Sequence, residues 1–143
     1  MAKTQTKLDD FVKGVEEEEE LHRVPETEFE DRETLQAEFG VVYENYIVEG
    51  YTSDIASKFG GTNTAVRLTS PTGEKLVLWV GGFEQDHFTQ KMAQWARQEV
   101  ELPVEISFAR VKQASGKTDR EYNRLKIKTI ATGEDVKHKL KSL

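Results

Sequence analysis

The sequence predicts a mainly β domain, with one helix placed among five strands, behind an acidic N-terminal tail. Three observations support this prediction. Five segments after residue 37 have the β-branched composition, or the alternation of apolar and polar residues, that is typical of strands. One segment between the third and the fourth of them changes to a three- and four-residue apolar spacing. The first 36 residues hold 12 Asp and Glu against 5 Lys and Arg, with few bulky apolar side chains.

The tail is predicted to be an acidic flexible linker over residues 13–36. Glu16 to Glu20 form an unbroken run of like charges, which repel one another and bury little surface. Pro25 stops any helix that begins before it. The chain of 143 residues has a net charge of −6, but residues 37–143 hold 15 Lys and Arg against 14 Asp and Glu. The acidity therefore belongs to the tail.

The first three strands are predicted from local composition. Residues 39–48 are rich in β-branched and aromatic side chains, and Gly50 follows them. Residues 64–69 and 75–80 alternate apolar and polar side chains, and a Ser-Pro-Thr-Gly turn at residues 70–73 separates them. These two segments therefore predict a hairpin.

A helix comes next in the predicted domain. Residues 84–100 place Phe88, Met92 and Trp95 on one helical face, and Pro103 prevents the helix from continuing. The remaining predicted elements are strands over residues 104–109 and 122–130, and a basic tail or short helix over residues 133–143.

The predicted order over residues 37–132 is strand, strand, strand, helix, strand, strand. This order resembles the OB-fold, a five-stranded and partly open Greek-key barrel. The resemblance is to an architecture rather than to a sequence motif. It implies a binding surface on the second and third strands and on the loops after the first and fourth strands, where OB-folds bind oligonucleotides or oligosaccharides.

Composition removes several classes of function. The chain has no Cys, so it has no disulfide, thiol nucleophile or cysteine-bound metal cluster. His22, His87 and His138 lie far apart and lack the spacing of metal ligands. We therefore expect no catalytic residues, metal or cofactor, and a protein that is not an enzyme. The start is polar and no apolar run approaches the roughly 18 residues of a membrane span, so we expect no membrane partner and a cytoplasmic protein.

The predicted hairpin supplies candidate nucleic-acid-binding residues. If Val66 and Leu68 face inward, Arg67 faces outward, and the same alternation turns Lys75 and Trp79 outward on the next strand. A cation beside a stacking ring suits single-stranded nucleic acid. The alternative is that Trp79 packs under the helix or a loop, because large aromatic side chains are mostly buried.

The last strand adds a second group of candidates. Tyr122, Arg124, Lys126 and Lys128 occupy every second position, which predicts one aromatic ring and three cations on one face. The preceding strand and loop are predicted to continue this stripe through four further cations: Arg110, Lys112, Lys117 and Arg120. The alternative is a solvated strand face whose lysines prevent edge pairing.

Residues 1–12 contain a short motif formed by Gln5, Leu8, Phe11 and Val12. In one helical turn the last three share a face and form an apolar plug. The pattern resembles the clamp-interacting motif, or PIP box, of proteins that bind the DNA sliding clamp (PCNA), in a style similar to archaeal or archaeal-viral examples. The resemblance implies that Gln5 enters a side pocket of the clamp and that Leu8 and Phe11 fill its hydrophobic pocket. Val12 departs from the pattern, which commonly has a second aromatic residue there.

Two functions are compatible with these features. The first is a non-catalytic module that binds single-stranded DNA, with RNA left open, and that its N-terminal motif recruits to the sliding clamp in DNA replication or repair. The second is a protein–protein adaptor or inhibitor of the replication machinery that uses the same fold without binding DNA. Salt dependence separates the two, because only contacts to phosphates release several counterions.

Overall fold

A computed structural model describes residues 32–57, 60–116 and 120–143. Its elements in chain order are β1 (Glu33–Thr34), β2 (Val42–Ala56), β3 (Thr62–Thr69), β4 (Lys75–Gly81), α1 (Gly82–Arg97), β5 (Val104–Ala114), β6 (Glu121–Ala131) and α2 (Glu134–Ser142). The prediction of a mainly β domain with a helix between its third and fourth long strands is confirmed, and β1 is an addition to it. The predicted clamp-interacting motif and most of the predicted acidic linker lie outside the described residues.

The strands form one sheet in the order β1, β4, β3, β2, β5, β6. Among these strands the neighbours are antiparallel, except that β1 runs parallel to β4. The first half of β2 pairs with β5 and its second half pairs with β3, with changes of register in both pairings. Irregularities of this kind bend and twist a strand, so the long β2 serves both halves of a barrel-like sheet.

Helix α1 covers the space between β6 and β4, which lie at opposite ends of the run of long strands. Its apolar face carries Phe88 and Trp95 into the core, as its spacing predicts. The Trp95 indole Nε1 donates a hydrogen bond of 2.9 Å to Thr129 Oγ1 on β6. Burial of this ring therefore leaves its only polar atom satisfied, and the bond fixes the helix against the edge of the sheet.

The helix ends at Arg97, three residues before the predicted end. Glu99 has a left-handed backbone with φ 58°, and its N–H donates to Ala96 O. The N–H of Val100 then donates to Trp95 O at 2.8 Å. These two bonds are those of a Schellman motif, which satisfies the last carbonyls of a helix. The apolar Val100 therefore belongs to the cap rather than to the helix.

The folded part of the chain begins no later than Arg32, so the predicted boundary at residue 37 is too late. The Arg32 guanidinium pairs with Glu49 at 2.6 Å and also donates to the carbonyls of Leu68 and Leu76. Residues 33–35 add to the open edge of β4, and Ala37 is buried in the core. Backbone pairing and one arginine with three acceptors therefore hold a segment whose composition resembles that of the linker.

The last residues form the helix α2, which is one of the two forms expected of them. Val136 is buried, and Lys139 Nζ lies 2.9 Å from the Glu105 carboxylate on β5. The end of the helix reaches the turn after β3, where Leu143 lies against Gly73. Helix α2 is thus part of the domain. Neither described helix is both long and apolar enough to cross a membrane.

Candidate nucleic-acid interface

The register of the β3–β4 hairpin places Arg67 and Trp79 on its outer face. Arg67 lies opposite Val77, and Ala65 lies opposite Trp79, while Val66 and its alternating neighbours fill the core. Trp79 is 37% exposed. Both side chains thus point away from the core, as predicted, on a face where their neighbours Ala65 and Val77 are buried. Lys75 is also exposed, at the far end of β4.

Arg67 lies across the surface of the sheet. Its Nη1 donates to Thr52 Oγ1 at 3.1 Å, and its Nη2 occupies the space that a Cβ atom on Gly50 would take. Because Gly50 has no side chain, the Arg67 guanidinium can occupy this position. This arrangement holds a cation on the outer face of β2 and β3, two strands from the edge.

Four aromatic side chains lie on segments that meet where β4 passes into α1. Phe39 is 44% exposed and Phe83 is 59% exposed, and the ring of Tyr122 lies 5.1 Å from that of Phe83. Trp79 precedes Phe83 by four residues at the end of β4. We refer to Phe39, Trp79, Phe83 and Tyr122 as the aromatic rim. A contiguous exposed apolar patch often marks a binding site.

Arg110 ties together the segments that carry three of these rings. Its Nε pairs with Glu84 Oε2 at 2.5 Å, its Nη2 donates to Trp79 O at 3.1 Å, and its Nη1 donates to Ala37 O at 3.4 Å. Its own carbonyl accepts the N–H of Gly40, next to Phe39. Glu84 in turn follows Phe83. Arg110 thus links Trp79 to the residues next to Phe39 and Phe83.

The structure corrects the predicted role of Arg110. Its side chain is only 16% exposed, and its guanidinium donates to acceptors within the domain. Arg110 is therefore a structural residue of the site rather than a phosphate contact.

The cationic stripe on β6 exists, but it does not continue onto β5 as predicted. Arg124 and Lys126 lie opposite Val111 and Ala109, on one face of the β5–β6 pair. Arg110 and Lys112 lie opposite Leu125 and Asn123, on the other face. The predicted continuation through these two residues is therefore wrong, because the cross-strand register gives them the opposite orientation.

Lys112 instead lies beside the Phe39 ring of the aromatic rim. Its Nζ lies 5.1 Å from the centre of the Phe39 ring, in a cation–π contact. Of the other predicted cations, Lys128 lies on the same face of β6 as Lys126, Arg120 is exposed just before β6, and Lys117 lies outside the described residues. The site therefore combines aromatic rings with Arg67 and Lys112.

Two rings of the rim are absent from the sequence prediction. The sequence predicts Phe39 to lie in the first strand, whereas β2 begins at Val42 and Phe39 forms an isolated bridge to Arg110. Phe83 lies one residue away from Glu84, which with Phe88 and Trp95 forms the buried face of the helix. Its position off that face is the one signal in the sequence that could have identified it.

No family model matches the chain, and no curated protein or solved structure matches it either. Within residues 32–57, 60–116 and 120–143, no three His, Asp or Glu side chains come together as a metal site would require. The chemical groups that the site offers are the aromatic rings of the rim and the cations beside them.

Proposed function

We propose that the protein is a non-catalytic module that binds single-stranded DNA on its aromatic rim and is recruited to the sliding clamp (PCNA) during DNA replication or repair. The observation that carries the proposal is the exposure of Phe39, Trp79 and Phe83 at one end of the barrel, beside Tyr122. Each base stacked on an aromatic ring contributes about 1–3 kcal/mol to binding, and every base offers such a face.

The chemistry of the rim favours a single strand over a duplex. Bases of a single strand are free to leave their neighbours and to stack on protein rings, whereas bases of a duplex are already stacked. Lys112, which lies over Phe39, and Arg67, on the outer face of β3, supply positive charge for phosphates. RNA has the same faces and phosphates, so the rim alone does not select DNA, and the 2′-hydroxyl would have to be recognised elsewhere.

Recruitment to the clamp rests on the sequence of residues 5–12. Gln5, Leu8, Phe11 and Val12 have the spacing of the clamp-interacting motif. A terminal segment of this kind binds by presenting an apolar plug to a pocket, and it orders as it binds. We place the protein inside the cell, where both the clamp and single-stranded DNA are found.

The experiment is a titration of a labelled dT oligonucleotide with the full chain, followed by fluorescence anisotropy. Loss of one stacking ring should weaken binding at least about fivefold, so we expect that result for Trp79→Ala. Leu143→Ala is the control, because Leu143 is 43% exposed and lies at the end of α2 against Gly73, outside the rim. A thermal melt of each variant checks that it is folded.

Three results separate the possible functions. Binding that depends on Trp79 and weakens with salt supports the proposal. Equal binding by Trp79→Ala and the wild type refutes the role of the rim. Absence of dT and rU binding in low salt, with saturable binding to the clamp, refutes the nucleic-acid function and favours an adaptor that docks on proteins.

A further inference from the structure

A second surface carries four cations that form no ion pair with a described residue. Helix α1 and strand β6 form the two walls of an open groove of about 490 Å³. Two cations line it from the helix and two from the strand, and we refer to Lys91, Arg97, Arg124 and Lys126 as the basic groove. Gln90 and Gln94 line the groove between them, and none of the described residues that line it is acidic.

The groove is a fixed feature of the fold. The Trp95 indole bond to Thr129 holds the helix to β6 at one point. The backbone N–H of Leu125 donates to His87 Nδ1 at 3.3 Å and holds it at another. The apolar face of α1 therefore points into the core, and the flank of the helix beside β6 presents Lys91 and Arg97 to the groove. A ligand would meet these cations without a rearrangement of the backbone.

The four cations are not neutralised within the described part of the chain. Arg124 donates to the neutral Gln113 Oε1 at 2.7 Å. Lys91, Arg97 and Lys126 form no ion pair with any described residue. Like charges held side by side repel one another, and an anionic ligand relieves that repulsion. The groove is thus built for a polyanion or an anionic segment.

The groove opens at the aromatic rim. His87 lines the groove, and its ring centre lies 6.5 Å from that of Tyr122, which in turn lies 5.1 Å from Phe83. We propose that the basic groove takes the phosphate backbone of the same single strand whose bases stack on the rim, so that the strand runs beside β6. This inference rests on the proposed function. It favours nucleic acid over an acidic peptide, because only nucleic acid uses both surfaces.

The test compares two double variants of the full chain that lose the same charge. Lys91→Gln/Arg97→Gln removes the helix side of the groove, and Lys137→Gln/Lys141→Gln removes two exposed cations from α2. Each is titrated with dT oligomers of about 5 and about 15 nucleotides, at several salt concentrations. A thermal melt of each variant checks folding.

The groove variant should bind the longer oligomer at least about tenfold more weakly than the control variant in about 50 mM salt. The slope of log affinity against log salt should fall by about 1.4, which is the release of two counterions from a single strand. Affinity for the shorter oligomer, which the rim alone can hold, should change less than about twofold. This set of results supports the path along β6.

Two outcomes overturn the inference. One is an equal affinity and an equal salt slope for the groove and control variants. The other is a labelled peptide with the sequence of residues 13–31 that binds in a Lys91- and Arg97-dependent manner, while dT binding does not depend on them. If the wild type binds no oligomer, or if Trp79→Ala binds as the wild type does, the proposed function itself has failed.

Discussion

At the scale of single residues, Arg110 organises the aromatic end of the barrel. It neutralises Glu84, which is 6% exposed, and it supplies donors to two main-chain carbonyls. Removing one partner of a buried ion pair leaves an uncompensated charge, which costs about 3–5 kcal/mol. We therefore expect Arg110→Ala to lower the free energy of unfolding by about 3 kcal/mol in urea titrations.

Two variants control this prediction. Lys112→Ala removes an exposed cation from the same strand and should change the free energy of unfolding by less than about 1 kcal/mol. The double variant Arg110→Ala/Glu84→Ala should be more stable than the sum of the two single losses predicts, because the unpaired carboxylate is gone. Additive losses would show that the two side chains do not act as a pair.

Gly50 and Arg67 give a second test at the same scale. In Gly50→Ala the new methyl group meets the far end of a flexible arginine, so the guanidinium should move and its bond to Thr52 should break. Stability should fall by only about 1 kcal/mol, as for the loss of one partly buried hydrogen bond. If Arg67 contacts phosphate, dT affinity should fall about as much as in Arg67→Ala.

The control for that variant is Gly116→Ala. A Cβ atom there meets no neighbour, and the φ of Gly116 is not in the left-handed region, so neither stability nor dT affinity should change measurably. Unchanged dT affinity in both glycine variants would remove Arg67 from the proposed surface.

At the scale of elements, the parts that could be predicted are those that one strand or one helix decides by itself. Alternation along β3 and β4 gives the outward side chains Arg67 and Trp79, because successive residues of a strand point to opposite faces. The 3.6-residue period of α1 gives the buried Phe88 and Trp95. Local geometry suffices for these side chains.

The rest depends on contacts between distant segments. The orientation of Lys112 follows from its pairing with Asn123, and no pattern within β5 reveals that register. Arg32 belongs to the domain because its partner Glu49 and two carbonyls lie on other strands, whereas its neighbours in sequence are acidic. The basic groove needs both α1 and β6, so the pattern of neither element alone predicts it.

The docking of α2 makes a prediction about acid stability. Burial acts to raise the pKa of Glu105, but hydrogen bonds from Lys139 and Asn45, together with the charge of Lys139, lower it below its usual value of 4.5. A lowered carboxyl pKa stabilises the fold above the unfolded-state pKa, and this stabilisation is lost as the pH falls through the folded-state pKa. The stability advantage of the wild type over Glu105→Gln should therefore shrink below about pH 4.5.

Urea midpoints of the wild type and Glu105→Gln, measured near neutral pH and at about pH 3.5, check this prediction. Glu134→Gln is the control, because its side chain is 76% exposed and its partner Lys137 lies on the same helix. A difference between the wild type and Glu105→Gln that stays constant with pH would show that the Lys139 contact does not hold α2 to the sheet.

At the scale of the whole molecule, the chain separates its charges. The acidic residues concentrate before Arg32, and the basic groove and stripe lie on the domain. Clamp binding and DNA binding are proposed for separate segments, so substitutions in one segment should remove one function and leave the other. Leu8→Ala/Phe11→Ala should abolish binding to the sliding clamp and leave dT affinity within about twofold, because no proposed DNA contact lies in residues 1–12. Trp79→Ala should have the opposite effect.

Joining the two functions in one chain should increase affinity for a clamp loaded on DNA with a single-stranded region. Residues 13–31 contain 19 residues, and a coil of that length spans about 5–6 Å times its square root, or about 25 Å. Once the motif is bound, the domain meets nearby DNA at an effective concentration of about a millimolar. The full chain should therefore bind the loaded clamp at least about tenfold more tightly than either Leu8→Ala/Phe11→Ala or Trp79→Ala does. Equal affinities in surface plasmon resonance would show that the two segments cannot engage together.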